Sequence, residues 1–493
     1  MSVVKGLLTT TLAFGFISLL GCSDDDDNNP PADTTDPVIS NLSHVDNEKV
    51  IGSRTITFSA DATDDSTLSV TITHNGTPAV VTPSGDTYSA SITLEDRTNN
   101  TIVFTANDGT NTATEIVHLN YPFLSFTNGQ AASVVIGQPD FDSVAYNRDG
   151  GQTPAINSLA GPRGLIVVND KLYIADKDNE RVLGFNAIPS ANDPNADFVI
   201  GQDSFTTRIE GLSNTQLRSP ASIAYNDNHF FVTQSGSDSR TNHWTPAPTD
   251  NLAADFVIGQ ADFGDGVASV CSQTTYDSNA EDITYVDGKV IVVNRSGNRV
   301  LVWNTVPSTS GVAADLVLGQ QDFVHCQFND ANNDGVNDGA PTASTLRDPV
   351  GVWTDGTRLV VNDGNNRRVL IWNTFPTANG QAADMVLGQD SFITRATISP
   401  PTSSSIVGGY IVSNGNQLFI SDRNNERVLI WDSWPTTNNQ PADRVLGTID
   451  FTGDVTGLSN ASILKNPRAM SLYQDKLIVV DSSYNRVLIF TAP

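Results

Sequence analysis

From about residue 131 to the C-terminus, short apolar runs separated by Asn, Asp, Gly and Ser return in one frame. The frame is visible in residues 163–205, 221–263, 281–323, 350–392 and 409–451. The copies lie about 60 residues apart, and such a period indicates a radial or stacked repeat. Each copy predicts four strands: one after a Pro, one ending in Asp, one opening with Arg-Val-Leu and one at Val-Ile-Gly.

The repeat begins and ends with incomplete copies. Residues 132–141 match only the last part of the unit, and the final copy, 467–490, lacks its own last strand. The front part of the unit occurs six times. The sequence therefore predicts an all-β fold with a six-bladed β-propeller over residues 131–493. Its N-terminal strand completes the C-terminal blade, because that closure leaves no long open edge.

Residues 37–121 show a different pattern, in which short alternating strands are separated by turn residues. Strands are predicted at residues 55–62, 68–75, 87–95, 101–108 and 112–120. This spacing is typical of a β-sandwich. In its length and in the turn at Asn107-Asp108-Gly109, the segment resembles bacterial immunoglobulin-like domains, which implies a spacer or adhesive module.

The segments that link the second and third strands of the repeat resemble NHL repeats. In residues 176–185, 363–372, 422–431 and 481–490, an Asp closes one strand and an Arg opens the next, five positions later. The resemblance covers residues 131–493 and implies an NHL-like propeller. Because these pairs recur, we interpret them as scaffold. We expect each Asp and Arg to pair across the turn, and the Phe or Trp four positions after the Arg to fill the gap between blades.

The N-terminus has the pattern of an export signal. Residues 7–20 are apolar but too few to span a bilayer. They lead into Leu19-Leu20-Gly21-Cys22, which resembles a bacterial lipobox. The resemblance implies a lipoprotein signal peptide over residues 1–21, lipidation of Cys22 and an exposed position on the outer membrane, whereas the alternative is an ordinary signal peptide. Residues 22–36 predict a disordered acidic tether.

Charge and composition exclude some functions. The chain has 27 Lys and Arg against 55 Asp and Glu, a formal net charge of -28. Because phosphate binding needs clustered cations, nucleic acid is not expected as a partner. The repeat region has only three histidines, His229, His243 and His325, and it has no nucleophile elbow or phosphate loop.

The positions that differ between copies are the candidates for function. The residue after the Pro that opens the first strand aligns with Arg163 in the first copy, Glu281 in the third and Arg468 in the last. If the last blade closes beside the first, Arg163 and Arg468 converge at the channel mouth. Glu281 and Asp282 lie across from them. Two guanidiniums bind a carboxylate or sulfate in a forked geometry, so we expect an anionic ligand. Solvated rim charges are the alternative.

An insertion between the third and fourth copies has the spacing of a calcium loop. The predicted ligands, at relative positions 1, 3, 5, 7 and 9, are Asp330, Asn332, Asp334, Val336 through its carbonyl, and Asp338. Gly335 stands at position 6. Position 12 is Pro341, so the loop is not an EF-hand; it resembles thrombospondin type 3 and dockerin loops. Ca²⁺ is the expected ion, and an unliganded polar loop is the alternative.

Two cysteines, Cys271 and Cys326, follow the fourth strands of successive copies. Outside the cytoplasm they are expected to form a disulfide, with free thiols as the alternative. Taken together, the sequence favours a lipid-anchored envelope or surface protein whose propeller is a non-catalytic platform for a protein or glycan partner. The alternatives are a six-bladed propeller enzyme of lactonase or lyase type and a purely structural envelope component.

Overall fold

A computed structural model of the protein describes residues 33–50, 55–95, 97–121, 123–236, 239–264, 271–453 and 459–493. The predicted signal peptide, Cys22 and most of the tether lie outside the described residues. Within the described ranges, no helix has both the length and the apolar character needed to cross a membrane.

The chain divides into two compact units. The first contains residues up to His44 together with Thr57–Ala90 and Ile102–Ile116. The second contains Val45–Ile56, Ser91–Thr101 and Val117–Pro493. All candidate site residues that the structure describes belong to the second unit.

In the described part of the chain before position 122, nine strands form two sheets. They are β1 (Val38–Ser40), β2 (Glu48–Lys49), β3 (Thr55–Thr63), β4 (Ser69–His74), β5 (Thr77–Pro78), β6 (Thr82–Ser84), β7 (Thr87–Thr93), β8 (Arg97–Asn107) and β9 (Thr112–Tyr121). One sheet has the order β1-β3-β7-β6 and the other β2-β9-β8-β4-β5. In β3, Phe58, Ala60 and Ala62 are buried and alternate with more exposed residues, as expected for a strand with one face in a core.

The remaining strands form six four-stranded sheets. Their bounds are β10 (Val134–Ile136), β11 (Leu165–Val168), β12 (Lys171–Asp176), β13 (Arg181–Phe185), β14 (Phe198–Ile200), β15 (Pro220–Asn226), β16 (His229–Gln234), β17 (Arg240–Trp244), β18 (Phe256–Ile258), β19 (Ala280–Val286), β20 (Lys289–Asn294), β21 (Arg299–Trp303), β22 (Leu316–Leu318), β23 (Val352–Thr354), β24 (Leu359–Asp363), β25 (Arg368–Trp372), β26 (Met385–Leu387), β27 (Ile411–Ser413), β28 (Leu418–Asp422), β29 (Arg427–Trp431), β30 (Arg444–Leu446), β31 (Pro467–Tyr473), β32 (Lys476–Asp481) and β33 (Arg486–Thr491). Single 3₁₀ turns occur at Tyr146–Arg148, Lys177–Asn179, Gly364–Asn366, Arg423–Asn425 and Ser482–Tyr484.

Five of the six sheets are antiparallel meanders of consecutive strands, from β11-β12-β13-β14 to β27-β28-β29-β30. The sixth has the order β10-β33-β32-β31, so a strand from the start of the repeat region joins the three strands at the C-terminus. In that pairing Val134 lies opposite Ile489, and Ile136 lies opposite Val487. The architecture is all-β, with multiple four-stranded sheets of the kind that a propeller requires.

The apolar cores lie between the sheets. Six clusters of buried side chains in the second unit each combine residues of two neighbouring sheets, and one of them combines the sixth sheet with the first. The aromatic residue that ends each third strand belongs to such a cluster. Trp372 of β25, for example, packs with Val300 and Val302 of β21. The repeated Trp or Phe therefore fills the space between sheets, as its position in the repeat predicts.

The recurring Asp and Arg form ion pairs in four of the six sheets. Arg181 Nε lies 2.8 Å from Asp176 Oδ2, and both side chains are fully buried. The same contact joins Asp363 to Arg368, Asp422 to Arg427 and Asp481 to Arg486 at 2.7 to 2.9 Å. In the third sheet, Arg299 Nε donates to the amide oxygen of Asn294 at 3.1 Å instead.

These pairs also hold the segments that enter and leave each sheet. Arg181 donates to the carbonyl of Phe205 after the fourth strand and to the carbonyls of Ala155 and Ser158 before the first strand. Asp176 accepts the backbone N–H of Ala160 at 2.7 Å. The sequence predicts that the Asp and Arg pair across their turn. The structure shows a wider role, because four N–H groups of the guanidinium reach acceptors in three segments.

Candidate functional site: an arginine cluster around Glu281

The first strands of the six sheets lie next to one another in sequence order, and β31 contacts β11. Their backbones come close. A Cβ atom on Gly164 would lie 2.7 Å from the Cα of Ser222, and one on Gly351 would lie 2.5 Å from the carbonyl oxygen of Gly409. Glycine is therefore required at positions 164 and 351, where a side chain would separate neighbouring strands. This close approach brings residues from several sheets to one centre.

Glu281 is the centre of a polar cluster. Its side chain is 1% exposed. Arg468 Nη1 donates to Oε1 at 3.0 Å, the Tyr410 hydroxyl donates to the same oxygen at 3.0 Å, and Arg163 Nη1 lies 3.5 Å from Oε2. The structure thus brings together three of the four residues that the sequence analysis selected. They do not form an open pair of arginines, because Glu281 already lies between them.

Two further arginines, which the sequence analysis did not identify, complete the cluster. Arg295 Nη1 lies 3.8 Å from Glu281 Oε2, and Arg423 acts electrostatically on the same carboxylate. Each directly follows the residue that closes a second strand, Asn294 or Asp422. Aligning that position across the copies would have revealed them, because the other copies have Lys, Ser or Gly there. We call Arg163, Arg295, Arg423 and Arg468 the arginine cluster.

Three members of the arginine cluster, Arg295, Arg423 and Arg468, line a cavity of about 380 Å³, which we call the basic recess. Its lining residues are Arg295, Arg423, Asn424, Glu426, Lys465, Asn466, Arg468 and Ser483. Lys465 is paired with Glu426, and Arg295 lies 3.8 Å from Asp348 Oδ1. Among the described residues, the four arginines and Lys465 are paired with the carboxylates of Glu281, Glu426 and Asp348, and Asp481, which also acts on Lys465, is itself paired with Arg486. The recess carries excess positive charge in a protein of net charge -28.

The charges shift one another's protonation equilibria. Burial disfavours the Glu281 carboxylate, but Arg163, Arg468, Arg295 and Arg423 overcome this effect and lower its pKa to about 2. Burial and the neighbouring Arg468 lower the pKa of Arg423. Glu281 is therefore ionised at neutral pH. The guanidiniums are close enough to repel one another, which an added anion would relieve.

Asp282 does not belong to this group, although it is the next residue in the chain. Its Oδ1 accepts from the Ser222 hydroxyl at 2.6 Å, and its Oδ2 accepts from the Val352 backbone N–H at 2.9 Å. Burial raises its pKa to about 7. Successive residues of a strand point to opposite sides, and the pairing of β19 with β20 is shifted between Ala280 and Asp282. The expectation that Asp282 faces the two arginines is therefore corrected.

The insertion expected to bind calcium folds as a loop of internal hydrogen bonds. Asp330 accepts the backbone N–H groups of Asp334 and Gly335, and Asp338 accepts that of Ala331. Asn332 and Asp334 are exposed, as is Val336. Within the described residues, the acidic side chains that converge to within 4.8 Å of one another are Asp33, Asp64 and Asp108 in the first unit. Cys271 and Cys326 form a disulfide with a Cα–Cα distance of 6.3 Å.

Comparison with known proteins leaves the chain without a family. No protein-family model matches it, and no curated protein matches it. Among solved structures, it is similar to an auxiliary nutrient binding protein from Bacteroides thetaiotaomicron, with 12% identity and a TM-score of 0.41 over 93% of this chain and 99% of that chain. It is also similar to the PQQ-bound aldose sugar dehydrogenase from Streptomyces coelicolor, with 14% identity and a TM-score of 0.38 over 68% of this chain and 95% of that chain.

A third similarity concerns a smaller part of the chain. The titin M4 domain matches with 15% identity and a TM-score of 0.15, over 17% of this chain and 94% of that chain. At these identities and TM-scores, none of the three similarities carries an argument about function. We therefore infer the function from the arginine cluster and the basic recess of this chain.

Proposed function

We propose that the protein is a non-catalytic binding platform whose basic recess holds an anionic group of its partner. The observation that carries this proposal is the excess of guanidiniums over carboxylates in the arginine cluster. A carboxylate or sulfate presented by a glycan or an acidic protein segment matches that charge and the forked donors of arginine.

The supporting architecture is a six-bladed NHL-like propeller. The six sheets are its blades, β10 closes the last blade against β33, and the first strands line the central channel. The preceding sheets are an immunoglobulin-like sandwich. In this arrangement the arginine cluster lies where the first strands converge, which is a common location of ligand sites in ring-shaped folds. A partner reaches the recess from one face of the ring.

The anion has a defined place relative to the existing pairs. Glu281 already binds Arg163 and Arg468 on its own side. Arg295 is 31% exposed, and its closest distance to each neighbouring carboxylate is 3.8 Å, which is too long for a hydrogen bond. Its N–H donors are therefore more available to a ligand than those of Arg163 and Arg468. An anion between Arg295, Arg423 and Arg468 therefore gains charge-assisted hydrogen bonds without breaking the pairs of Glu281.

Isothermal titration with inorganic sulfate and with citrate, at fixed ionic strength, tests this proposal. The double variant Arg295→Gln/Arg423→Gln removes two charges of the recess and leaves Arg163, Arg468 and Glu281 in place. We expect its affinity to fall about tenfold or more. The control, Arg208→Gln/Arg395→Gln, makes the same charge change at two exposed linker positions. Equal affinity in the two double variants, or no binding by the wild type, would reject the recess as an anion site.

The anchor is a separate part of the proposal. The lipobox-like sequence before Cys22 supports an exported lipoprotein of the outer membrane, held by its lipid. The variant Cys22→Ala is expected to move the protein from the membrane fraction to the soluble fraction. Retention of the variant in salt-washed membranes would contradict the anchor.

A metal-dependent lactonase or lyase and a purely structural component are the alternatives. The lactonase alternative needs a central carboxylate that is free to bind a metal, whereas Glu281 is enclosed by guanidiniums and both oxygens of Asp282 accept hydrogen bonds from the protein. The described histidines also give it little support, because His229 Nδ1 and His243 Nε2 are hydrogen-bonded to each other at 2.8 Å. The structural alternative predicts no small-anion binding, so the titration above distinguishes it.

A further inference from the structure

A second cavity, of about 320 Å³, is lined by the first strands of all six sheets; we call it the central cavity. Its apolar lining residues come from a different strand at each step, and polar side chains stand among them. Representative residues are Ile166, Ile223, Ile283, Trp353, Met470 and Leu472. A concave cavity in which polar groups stand among apolar side chains can both enclose and orient a small molecule.

Asp282 is the carboxylate of the central cavity. Its side chain is 6% exposed. It accepts hydrogen bonds from Ser222 and Val352, which are neutral donors, and the strongest charge acting on it is that of Glu281, which has the same sign. Within the described residues no cation forms an ion pair with it. A buried carboxylate that has hydrogen-bond donors but no cation beside it is costly to ionise, so a positively charged ligand would be stabilised there.

The other titratable groups that face Asp282 are few. Glu281 lies on its own strand, Tyr410 precedes β27, and Lys49 of β2 lines the same cavity. The lining residues from β11, β15, β23 and β31 carry no charge. Burial lowers the pKa of Lys49, and Lys49 is not among the charges that act on Asp282. Glu281 is neutralised by its arginines, which leaves Asp282 as the one uncompensated carboxylate among the described residues of the cavity wall.

We propose that the central cavity binds a small primary amine with an apolar body, with its ammonium group on Asp282 and its body against the apolar wall. Trp353 adds an aromatic wall that favours a cation nearby. The negative charge of the whole protein attracts cations towards the cavity. This ligand is opposite in charge to the one proposed for the basic recess, and the two proposals are tested with different compounds.

The protonation of Asp282 gives the proposal a pH signature. Burial raises the pKa of this carboxyl to about 7, so its ionised fraction grows between pH 6 and pH 8. Only the ionised form pairs with an ammonium group. Amine affinity should therefore increase about tenfold from pH 6 to pH 8.

The experiment compares benzylamine with benzyl alcohol by isothermal titration of the purified protein at pH 6 and pH 8. The two compounds have similar apolar bodies, but benzylamine is a cation throughout this range and benzyl alcohol is neutral. We expect benzylamine to bind more tightly at pH 8 than at pH 6. Benzyl alcohol should bind more weakly than benzylamine at pH 8, and its affinity should be the same at both pH values. Equal affinities for the two compounds, or a benzylamine affinity that does not change with pH, would overturn the proposal.

Two variants locate the binding. Asp282→Asn keeps the shape and removes the charge, and it should lower the benzylamine affinity at pH 8 at least tenfold. Asp227→Asn makes the same change at an exposed turn and should have no effect. Unchanged benzylamine binding in Asp282→Asn would contradict the site. If that variant does not fold, the comparison of benzylamine with benzyl alcohol in the wild type still tests whether the cavity binds an ammonium group.

Discussion

The protein contains two kinds of arginine–carboxylate contact, and they differ in stoichiometry. In the sheets, Asp176, Asp363, Asp422 and Asp481 each bind one arginine, and both partners are fully buried. At the centre, a single buried glutamate, Glu281, faces four arginines. The first kind recurs in the repeat and the second does not.

This difference in stoichiometry distinguishes the charges of the scaffold from those of the candidate site. A one-to-one buried pair with its remaining N–H groups on backbone carbonyls is complete, so it has nothing left for a ligand. The arginine cluster is incomplete in this sense, because its positive charge exceeds the carboxylates around it. The excess, and not the presence of arginine, marks the site.

The largest effect is expected from removing β10, the strand that we propose closes the ring. Deletion of residues 1–141 removes β10 and exposes the edge of β33, so we expect loss of cooperative unfolding in the repeat region. Deletion of residues 1–121 retains β10 and should preserve it. Thermal unfolding followed by circular dichroism measures both. Identical melting curves would mean that β10 does not close the ring.

Within the sheets, Asp363→Ala should lower the free energy of unfolding by about 3–5 kcal/mol, because it leaves Arg368 buried without its carboxylate. Asp363→Asn should cost less than Asp363→Ala, since Asn294 already accepts from Arg299 in the third sheet. Denaturant unfolding at pH 7 measures the two variants. Sulfate affinity should remain unchanged in both, and a loss of it would remove the distinction between scaffold and site.

At the centre, Glu281→Gln should lower the free energy of unfolding by about 3 kcal/mol at pH 7, because the folded-state pKa of Glu281 is about 2, below its ordinary 4.5. A carboxyl with a lowered pKa stabilises the fold above its unfolded pKa. The difference between wild type and variant should therefore shrink as pH falls from about 4.5 to 2.

The same variant sharpens the comparison, since it increases the positive charge of the recess. Sulfate should bind Glu281→Gln more tightly than the wild type and restore part of its stability. A variant that is destabilised but binds sulfate no better would assign Glu281 and its arginines to the scaffold.

The smallest effect concerns the insertion, for which we propose a weak calcium site. Its carboxylates already accept backbone N–H groups and it lacks a bidentate Glu, so a dissociation constant of about 0.1–1 mM is expected. Calcium at ten times that value should add about 1.4 kcal/mol of stability. Asp334→Ala should remove the gain and Asp64→Ala, in the other acidic group, should not. The reverse result would place the ion at Asp33, Asp64 and Asp108.

The sequence predicted the parts of the fold that follow from repetition. The four strands of each unit, the Asp–Arg pairs and the aromatic residues between sheets are each written several times in the chain. The convergence of Arg163, Arg468 and Glu281 also followed, because their aligned positions and the order of the copies suffice to place them together.

The sequence did not predict that Glu281 is buried or that Asp282 points away from it. The burial of Glu281 depends on how closely the glycine-containing first strands approach, which no single copy reveals. Because side chains alternate along a strand, Asp282 points away from Glu281. A comparison of the copies at one position does not show this alternation. Arg295 and Arg423 follow the second strand, outside the position that was aligned.

Diffraction from crystals grown with selenate tests the central claim most directly, because the anomalous scattering of selenium locates the anion. We expect a selenate ion between Arg295, Arg423 and Arg468 in the wild type. In Arg295→Gln/Arg423→Gln, no selenate should be bound there. Selenate bound only at exposed side chains, with the basic recess empty in the wild type, would contradict it.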